Sequence, residues 1–233
     1  MEIGGAIFFT DYSITPTELA VALEERGFDS LWVAEHSHIP VSRRFTHPQG
    51  EAALTKEYFD VMDPFITLSA AAAVTARLKL GTAVCLVIQR DTIQTAKLVG
   101  SLDQVSKGRF LFGIGCGWNA EEMEDHGTVY ETRTLKMREQ IEAMKEIWTK
   151  DVAEYHGQIV DFPPMTAGPS RCRSRIHRPS SAAPSTSPRV ARSATATGSC
   201  PQRRASARVA QRISCRASAK WPRKRAVTSH RCR

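Results

Sequence analysis

Length, composition and charge divide the 233-residue chain into two unlike parts. The net charge of +8 combines residues 170–233, which hold 17 Lys+Arg and no Asp or Glu, with residues 1–169, whose net charge is −9. No apolar run approaches the roughly 18 residues of a membrane span, and the first residues lack the features of a secretory signal. We therefore expect no membrane insertion and a cytoplasmic location.

The first predicted strand is the apolar run of residues 3–9. Thr15 and Glu18, with Pro16 between them, have the spacing of a capping box and predict that a helix starts there and stops at Gly27. Asp63 before Pro64 predicts a second helix, through Ala73, after a long polar connection. The other predicted strands cover residues 30–34, 78–86 and 109–115, and the other predicted helices cover residues 92–106 and the face carrying Met137, Ile141, Met144 and Trp148.

Alternating strands and helices with nearly continuous apolar strands favour a parallel sheet covered by helices. Both a doubly wound sheet and a TIM barrel have this pattern. Gly113, Gly115 and Gly117 follow the fourth strand without a helix directly behind them, so they do not form a dinucleotide fingerprint. Long connections after the second and fourth strands favour a barrel, whose active site is built from such loops. A complete small flavodoxin-like domain is a further alternative, but no phosphate loop follows the first strand.

Four segments in this order resemble the bacterial luciferase-like monooxygenase family. The stretch Gly117-Trp118-Asn119-Ala120-Glu121-Glu122-Met123, followed by His126-Gly127, is similar to the branch that depends on the deazaflavin F420. The resemblance covers residues 1–169, the N-terminal half of a (β/α)8 barrel. The four segments are residues 33–36 (Val-Ala-Glu-His), 80–84 (Leu-Gly-Thr-Ala-Val), 102–110 (Leu-Asp-Gln-Val-Ser-Lys-Gly-Arg-Phe) and 112–119 (Phe-Gly-Ile-Gly-Cys-Gly-Trp-Asn).

The resemblance implies a cofactor, F420 or alternatively FMN, at the C-terminal mouth of the barrel, and hydride transfer between it and a small organic substrate. His36 matches the family's active-site histidine at the end of the second strand, where a neutral imidazole can move a proton near physiological pH. The alternative is a histidine that only ends a strand. Glu35 is expected to be a structural carboxylate.

The resemblance also implies a non-proline cis peptide in the third strand, beneath the central ring of the cofactor. Thr82-Ala83 lies at the matching place, and Ala83-Val84 is the neighbouring option. Arg90 follows on the same rim, where it could meet the anionic part of a cofactor or remain a solvated loop residue.

The loop after the fourth strand supplies the remaining candidates. Gly115, Gly117 and Asn119 would let the backbone approach the cofactor, because glycine lacks a Cβ, although packing in a tight turn is an equal alternative. Glu121 and Glu122 are expected to face solvent. No metal site is expected.

The family pattern breaks off after residue 162, where a proline-rich linker and a fifth strand should follow. Joining the third base of each codon to the first two of the next, with permitted codons, lets Ser170 to Arg178 read Pro-Val-Gln-Lys-Pro-His-Pro-Pro, which restores the linker. We therefore hypothesise a single-base shift near codons 166–170. Strands five to eight would then be missing, the edges of the first and fourth strands would be unpaired, and aggregation or a homodimer would be favoured. We expect no measurable turnover from such a chain.

The composition of residues 170–233 has two interpretations. Arg, Ser, Ala and Pro dominate there, and such a segment buries too little apolar surface to offset its ordering entropy, so we predict a disordered basic tail. Alternatively, clusters such as Arg203-Arg204 and residues 221–225 form a nucleic-acid-binding arm. The tail has little aromatic interleaving for base stacking and no repeat, so we expect no specific nucleic-acid partner.

Overall fold

The computed structural model describes residues 2–45 and 53–171, so the predictions for the basic tail lie outside the described residues. Six strands and five α-helices occur in this part of the chain. The strands are β1 (Gly4–Ile7), β2 (Ser30–Val33), β3 (Lys79–Thr82), β4 (Phe110–Leu111), β5 (Ala153–His156) and β6 (Asp161–Met165). The helices are α1 (Pro16–Glu25), α2 (Pro64–Val74), α3 (Thr92–Val105), α4 (Ala120–Asp125) and α5 (Arg133–Thr149).

Strands β1 to β4 form one sheet in their chain order, and each neighbouring pair is parallel. The register runs from Gly4 to Ser30 to Lys79, and then from Leu80 to Phe110. All four strands therefore end at the same edge of the sheet. The segments that follow them, and with them the candidate site residues, meet at this C-terminal edge.

The predicted helix starts are confirmed. The Thr15 hydroxyl accepts a hydrogen bond from the Glu18 amide at 3.3 Å, and Pro16 begins α1. Asp63 Oδ1 accepts from the amides of Phe65 (2.8 Å) and Ile66 (3.1 Å) at the start of α2. These side chains satisfy amides that have no partner inside the helix.

The main core lies between the sheet and the helices. Leu31, Leu80 and Phe110 point from the strands and are fully buried. Helix α5 packs on α3, where the Trp148 indole donates to the Ala96 carbonyl at 2.9 Å. The predicted apolar face of α5 is confirmed, because Met144 is buried and Met137, Ile141 and Trp148 pack against the same core.

Arg109 fixes the connection between α2 and β3. Its guanidinium donates to the carbonyls of Ala72, Thr75, Leu78 and Ser106 at 2.8–3.0 Å, and to the Thr75 hydroxyl at 2.9 Å. Three of these carbonyls lie at or after the end of α2, where helical partners run out. The arginine before β4 therefore holds the preceding helix and strand in place.

Four elements differ from the prediction. The fourth strand covers only Phe110–Leu111, not residues 109–115. The third strand ends at Thr82, not at residue 86, and the chain continues as a loop with a short 3₁₀ turn, Val87–Gln89. Helix α4 forms in the polar stretch after β4, which was predicted to be a connection. Strands β5 and β6 make an antiparallel hairpin that was not predicted. Among the described helices, none is both long and apolar enough to cross a membrane.

Candidate active site

A histidine and a glutamate meet where the segment after β2 packs on α4. His36 Nδ1 lies 2.8 Å from Glu122 Oε2, and Glu122 Oε1 accepts from the Ser37 amide at 3.0 Å. The Glu122 side chain is 1% exposed and that of His36 is 9% exposed. The expectation that Glu122 faces solvent is therefore wrong: the helix turns Glu122 toward β2, where both carboxylate oxygens have donors.

The contact with Glu122 determines which ring nitrogen of His36 remains available to accept a proton. With Nδ1 donating to the carboxylate, Nε2 carries the lone pair of the neutral ring and has no hydrogen-bond partner among the described residues. Aromatic rings flank the imidazole, with the centroid of Tyr58 at 5.5 Å and that of Trp118 at 6.0 Å. The arrangement leaves one basic nitrogen beside an aromatic wall at the C-terminal edge of the sheet.

Beyond Glu122, the other charged side chains of α4 contact the same connection. His38 Nε2 lies 2.9 Å from Asp125 Oδ2, and the Ser37 hydroxyl lies 2.7 Å from His126 Nε2. On the adjacent face of the helix, Glu121 and Glu124 pair with Arg44. Glu121 was expected to face solvent, but it accepts hydrogen bonds from both the amide and the guanidinium of Arg44. Residues 36–44 are thus attached to α4 along its length.

Arg90 is held by two carboxylates. Its guanidinium lies 2.5–2.6 Å from Glu35 Oε1 and 2.6 Å from Asp63 Oδ2. Burial lowers the pKa of Arg90, but Glu35 and Asp63 outweigh it, so the net shift is upward. Arg90 is therefore not the solvated loop residue considered from the sequence, and its charge is already matched by protein carboxylates. Glu35 has the structural contacts expected of it.

The cis peptide lies between Ala83 and Val84. The expectation of Thr82-Ala83 is wrong, and the neighbouring option is the observed one. Thr82 is fully buried, and its hydroxyl donates to the Gly113 carbonyl at 2.7 Å and accepts from the Gly113 amide at 3.0 Å. Thr82 therefore faces the β4 segment, whereas Ala83 and Val84 are both exposed.

Gly115 and Gly117 have different reasons for being glycine. A Cβ on Gly115 would lie 2.5 Å from Val84 Cγ2, so the bare backbone makes room for that side chain. Gly117 has φ +65°, a conformation that favours glycine, in the turn leading into α4. Both glycines thus shape the strand end around Val84 and the start of α4.

Buried amides without partners mark the same edge. Asn119 is 2% exposed, and neither its side-chain oxygen nor its nitrogen has a hydrogen-bond partner among the described residues. It occupies the N-cap position of α4 but makes no capping hydrogen bond. Gln89, which was not among the predicted site residues, is 8% exposed, and both its amide atoms also lack partners in the described part of the chain. Since buried polar groups normally have partners, these amides fit a polar ligand.

The described residues give little support for a metal site or a reactive cysteine. No group of three or more His, Cys, Asp or Glu side chains there is arranged to hold a metal ion. Cys85 and Cys116 are both buried. Burial, reinforced by Glu35, raises the pKa of Cys85 well above its usual value, which disfavours a reactive thiolate.

A comparison with protein families identifies the family of this chain. The model of the luciferase-like monooxygenases matches residues 15–200, most of the chain. The chain belongs to the luciferase-like monooxygenase family. The match also extends past the boundary at residue 170 that composition indicated. Members of this family are flavin- or F420-dependent oxidoreductases and monooxygenases.

Two relatives show how much of such a protein the chain represents. An uncharacterised protein of Mycobacterium tuberculosis is 42% identical over 178 residues, which cover 76% of this chain and 63% of the relative. An F420-dependent glucose-6-phosphate dehydrogenase of Amycolatopsis mediterranei is 28% identical over 149 residues, which cover 62% of this chain and 40% of the relative. The chain thus spans less than two thirds of the length of either relative.

A solved structure shows the shared fold. The FMN complex of the oxygenating constituent of 3,6-diketocamphane monooxygenase from Pseudomonas putida superposes with a TM-score of 0.56 at 22% identity, covering 70% of this chain and 43% of that one. The predicted α/β fold, half of a luciferase-like (β/α)8 barrel, is confirmed.

Proposed function

We propose that this chain carries the N-terminal half of the active site of an oxidoreductase that transfers hydride between F420 and a small organic substrate. The proposal rests on the His36–Glu122 pair, which leaves Nε2 of a largely buried imidazole without a hydrogen-bond partner among the described residues, at the C-terminal edge of the sheet. Two-electron chemistry on an organic substrate also requires that a proton be moved, and a histidine held in one tautomer is suited to this task.

His36 is the proton-transferring residue in this proposal. It takes a proton at Nε2, and the imidazolium that forms is stabilised by the Glu122 carboxylate at Nδ1. The second oxygen of Glu122 accepts from the Ser37 amide, so the carboxylate cannot rotate away without losing that contact. Glu122 therefore fixes both the tautomer and the orientation of the ring.

The residues present fit a polar, ring-containing cofactor. Ala83 and Val84 would lie beneath its ring, with the buried Thr82 behind them fixing the turn and Gly115 and Gly117 shaping the adjoining wall. Asn119 would donate and accept hydrogen bonds with the ring edge through its unpartnered amide. The bound cofactor would supply the hydride chemistry. Arg90 is left out of this set, because Glu35 and Asp63 already hold its guanidinium.

F420 is preferred over FMN for two reasons. The segment 117–123 resembles the F420-dependent branch, and a relative at 28% identity is an F420-dependent enzyme by name. FMN is the alternative, since the fold also accommodates FMN in a structure at 22% identity. The substrate class remains a small organic molecule, acted on in the cytoplasm.

The extent of the barrel leads to a second element of the proposal. Four parallel strands are present in the described chain, and the matched parts cover 63% and 40% of the two relatives. We propose that the sequence for strands five to eight lies in a shifted frame after codons 166–170, and that this chain alone binds cofactor weakly without turnover. Within the described chain β1 and β4 are the edge strands of the sheet, and their unpaired edges then favour aggregation or a homodimer.

Two measurements test these proposals separately. DNA sequencing across codons 155–233 should reveal an open shifted frame encoding the linker and a fifth strand; an uninterrupted gene without one contradicts the shift and brings the nucleic-acid-binding arm forward. The purified chain should not reduce or oxidise F420 at an enzyme-like rate, whereas the frame-restored protein should. In that protein, His36→Ala should lower kcat about 10²- to 10⁴-fold. An unchanged rate would remove His36 from the mechanism.

A further inference from the structure

One buried carboxylate joins the segment that carries His36 to the loop after β3. Glu35 precedes His36, and its side chain is 5% exposed. Its Oε2 accepts from the Leu86 amide at 2.7 Å, and its Oε1 accepts from Arg90 Nε at 2.6 Å. Both oxygens are therefore used by residues of the same loop, at two points four residues apart.

Arg90 is fixed from further directions. Its guanidinium also reaches Asp63 Oδ2 at 2.6 Å and lies 5.0 Å from the centre of the Phe65 ring. Its carbonyl accepts from Gln140 Nε2 at 2.9 Å, which attaches the loop to α5. The arginine thus links Glu35 to the start of α2 and to α5, so the Glu35 carboxylate is held in one place.

We propose that Glu35 and Arg90 are positioning residues that keep the loop of residues 83–90 in register with the His36 imidazole. This inference rests on the proposed function, in which His36 moves the proton and the turn at residues 82–84 supports the cofactor ring. Because Glu35 and His36 are neighbours in the chain, a loop tied to Glu35 cannot shift without moving His36. The turn that supports the cofactor ring and the His36 imidazole therefore keep a fixed position relative to each other.

The cost of such a pair supports a geometric role. Removing a carboxylate and a guanidinium from water requires a desolvation energy that well-packed apolar side chains would avoid. Stability alone therefore does not account for an ion pair here. The two hydrogen bonds of Glu35 to one loop define the distance and orientation between two strand ends, which apolar packing defines less sharply.

Hydrogen exchange tests this coupling without requiring activity. In Glu35→Gln, amides of residues 83–90 should exchange about tenfold faster or more, because a charge-assisted hydrogen bond to the loop is lost. Arg90→Lys, which keeps the charge but not the planar fork, should do the same to a smaller extent. Exchange elsewhere in the sheet should change little, since the loss is local. Unchanged exchange at residues 83–90 in both variants would overturn the inference.

Asp63→Asn is the matched control. It removes the other carboxylate from Arg90 but retains a side-chain oxygen that can cap α2, so exchange at residues 83–90 should stay within about threefold of the parent, the loop's bond to Glu35 being intact. Equally faster amide exchange at residues 83–90 in Asp63→Asn and Glu35→Gln would contradict the positioning role of Glu35, because the loss of either carboxylate would then loosen the loop to the same extent. Far-ultraviolet circular dichroism confirms folding of each variant.

Cofactor affinity separates the two proposals. If the parent chain binds F420, Glu35→Gln should weaken binding about tenfold or more, and Asp63→Asn much less. Equal affinity in Glu35→Gln and the parent would overturn the positioning role even if the loop is loosened. If the parent binds neither F420 nor FMN, the proposed function fails, while the exchange result still decides whether Glu35 couples the two segments.

Discussion

Replacing Asn119 with leucine should stabilise the free protein and weaken cofactor binding at once. The Asn119 amide is buried and unpartnered among the described residues, and the side chain does not cap α4. Leaving a polar group buried without a partner costs about 1–3 kcal/mol. Leucine has a similar branched shape and needs no hydrogen bond, but imperfect packing typically costs up to about 1.5 kcal/mol. Taking the middle of both ranges, we expect a net stabilisation of about 1 kcal/mol for Asn119→Leu.

Thermal unfolding followed by circular dichroism measures this effect. For a folded part of this size, the expected gain corresponds to a rise in Tm of about 2–4 °C. Thr67→Val is the control of opposite sign: Thr67 is also buried, but its hydroxyl has carbonyl partners at 3.1–3.2 Å, so its loss should lower Tm. If Asn119→Leu lowers Tm as Thr67→Val does, then the Asn119 amide has partners in solution, and the argument that it awaits a ligand is wrong.

Three further outcomes are expected. Arg109→Ala should lower the free energy of unfolding in urea by about 2–4 kcal/mol, since several charge-assisted hydrogen bonds are lost, whereas Arg26→Ala, which loses one exposed bond to the Ala22 carbonyl, should change it by less than about 0.5 kcal/mol. Equal effects would contradict the role given to Arg109. Burial opposes ionisation of Glu139, but the amides of residues 158–160 outweigh it and lower its pKa. The ionised Glu139 therefore contributes its full stabilisation above the ordinary glutamate pKa, and this contribution is lost as the pH falls through the lowered pKa. In urea denaturation at a series of acidic pH values, the free energy of unfolding should therefore fall less steeply with decreasing pH for Glu139→Gln than for the parent. In the frame-restored protein, Glu122→Gln should lower kcat and shift the pH profile of kcat, and an unshifted profile would show that Glu122 does not act through His36.

The fold was largely predictable because its signals are local. Proline and an N-cap side chain within three residues marked the starts of α1 and α2, and the spacing of Met137, Ile141, Met144 and Trp148 marked the buried face of α5. The third strand was predicted too long because residues 83–86 are apolar although the chain turns there. Strand β6 contains Pro163 and Pro164, which remove backbone donors and hide a strand from propensity.

Residues of the candidate site could be predicted only where the residue and its own segment were enough to identify it. His36 stands at a strand end in a recognisable segment. Its partner Glu122 lies 86 positions away in a short acidic helix, and nothing in the local pattern distinguishes it from Glu121. Arg90 was misplaced for the same reason, because its carboxylate partners Glu35 and Asp63 are 55 and 27 positions away. Side-chain contacts between segments at the edge of the sheet depend on how the strands are arranged in the fold, which the spacing of residues in the sequence does not show.

Titration of the purified chain with F420 shows whether the C-terminal edge of the sheet binds a cofactor. Trp118 lies 6.0 Å from His36, ring to ring, so its fluorescence should report a cofactor that occupies the proposed site. We expect saturable quenching that is lost in Trp118→Phe and weakened in Asn119→Leu. Absence of saturable binding by both F420 and FMN, with the chain folded, would contradict the assignment of this edge of the sheet as a cofactor site.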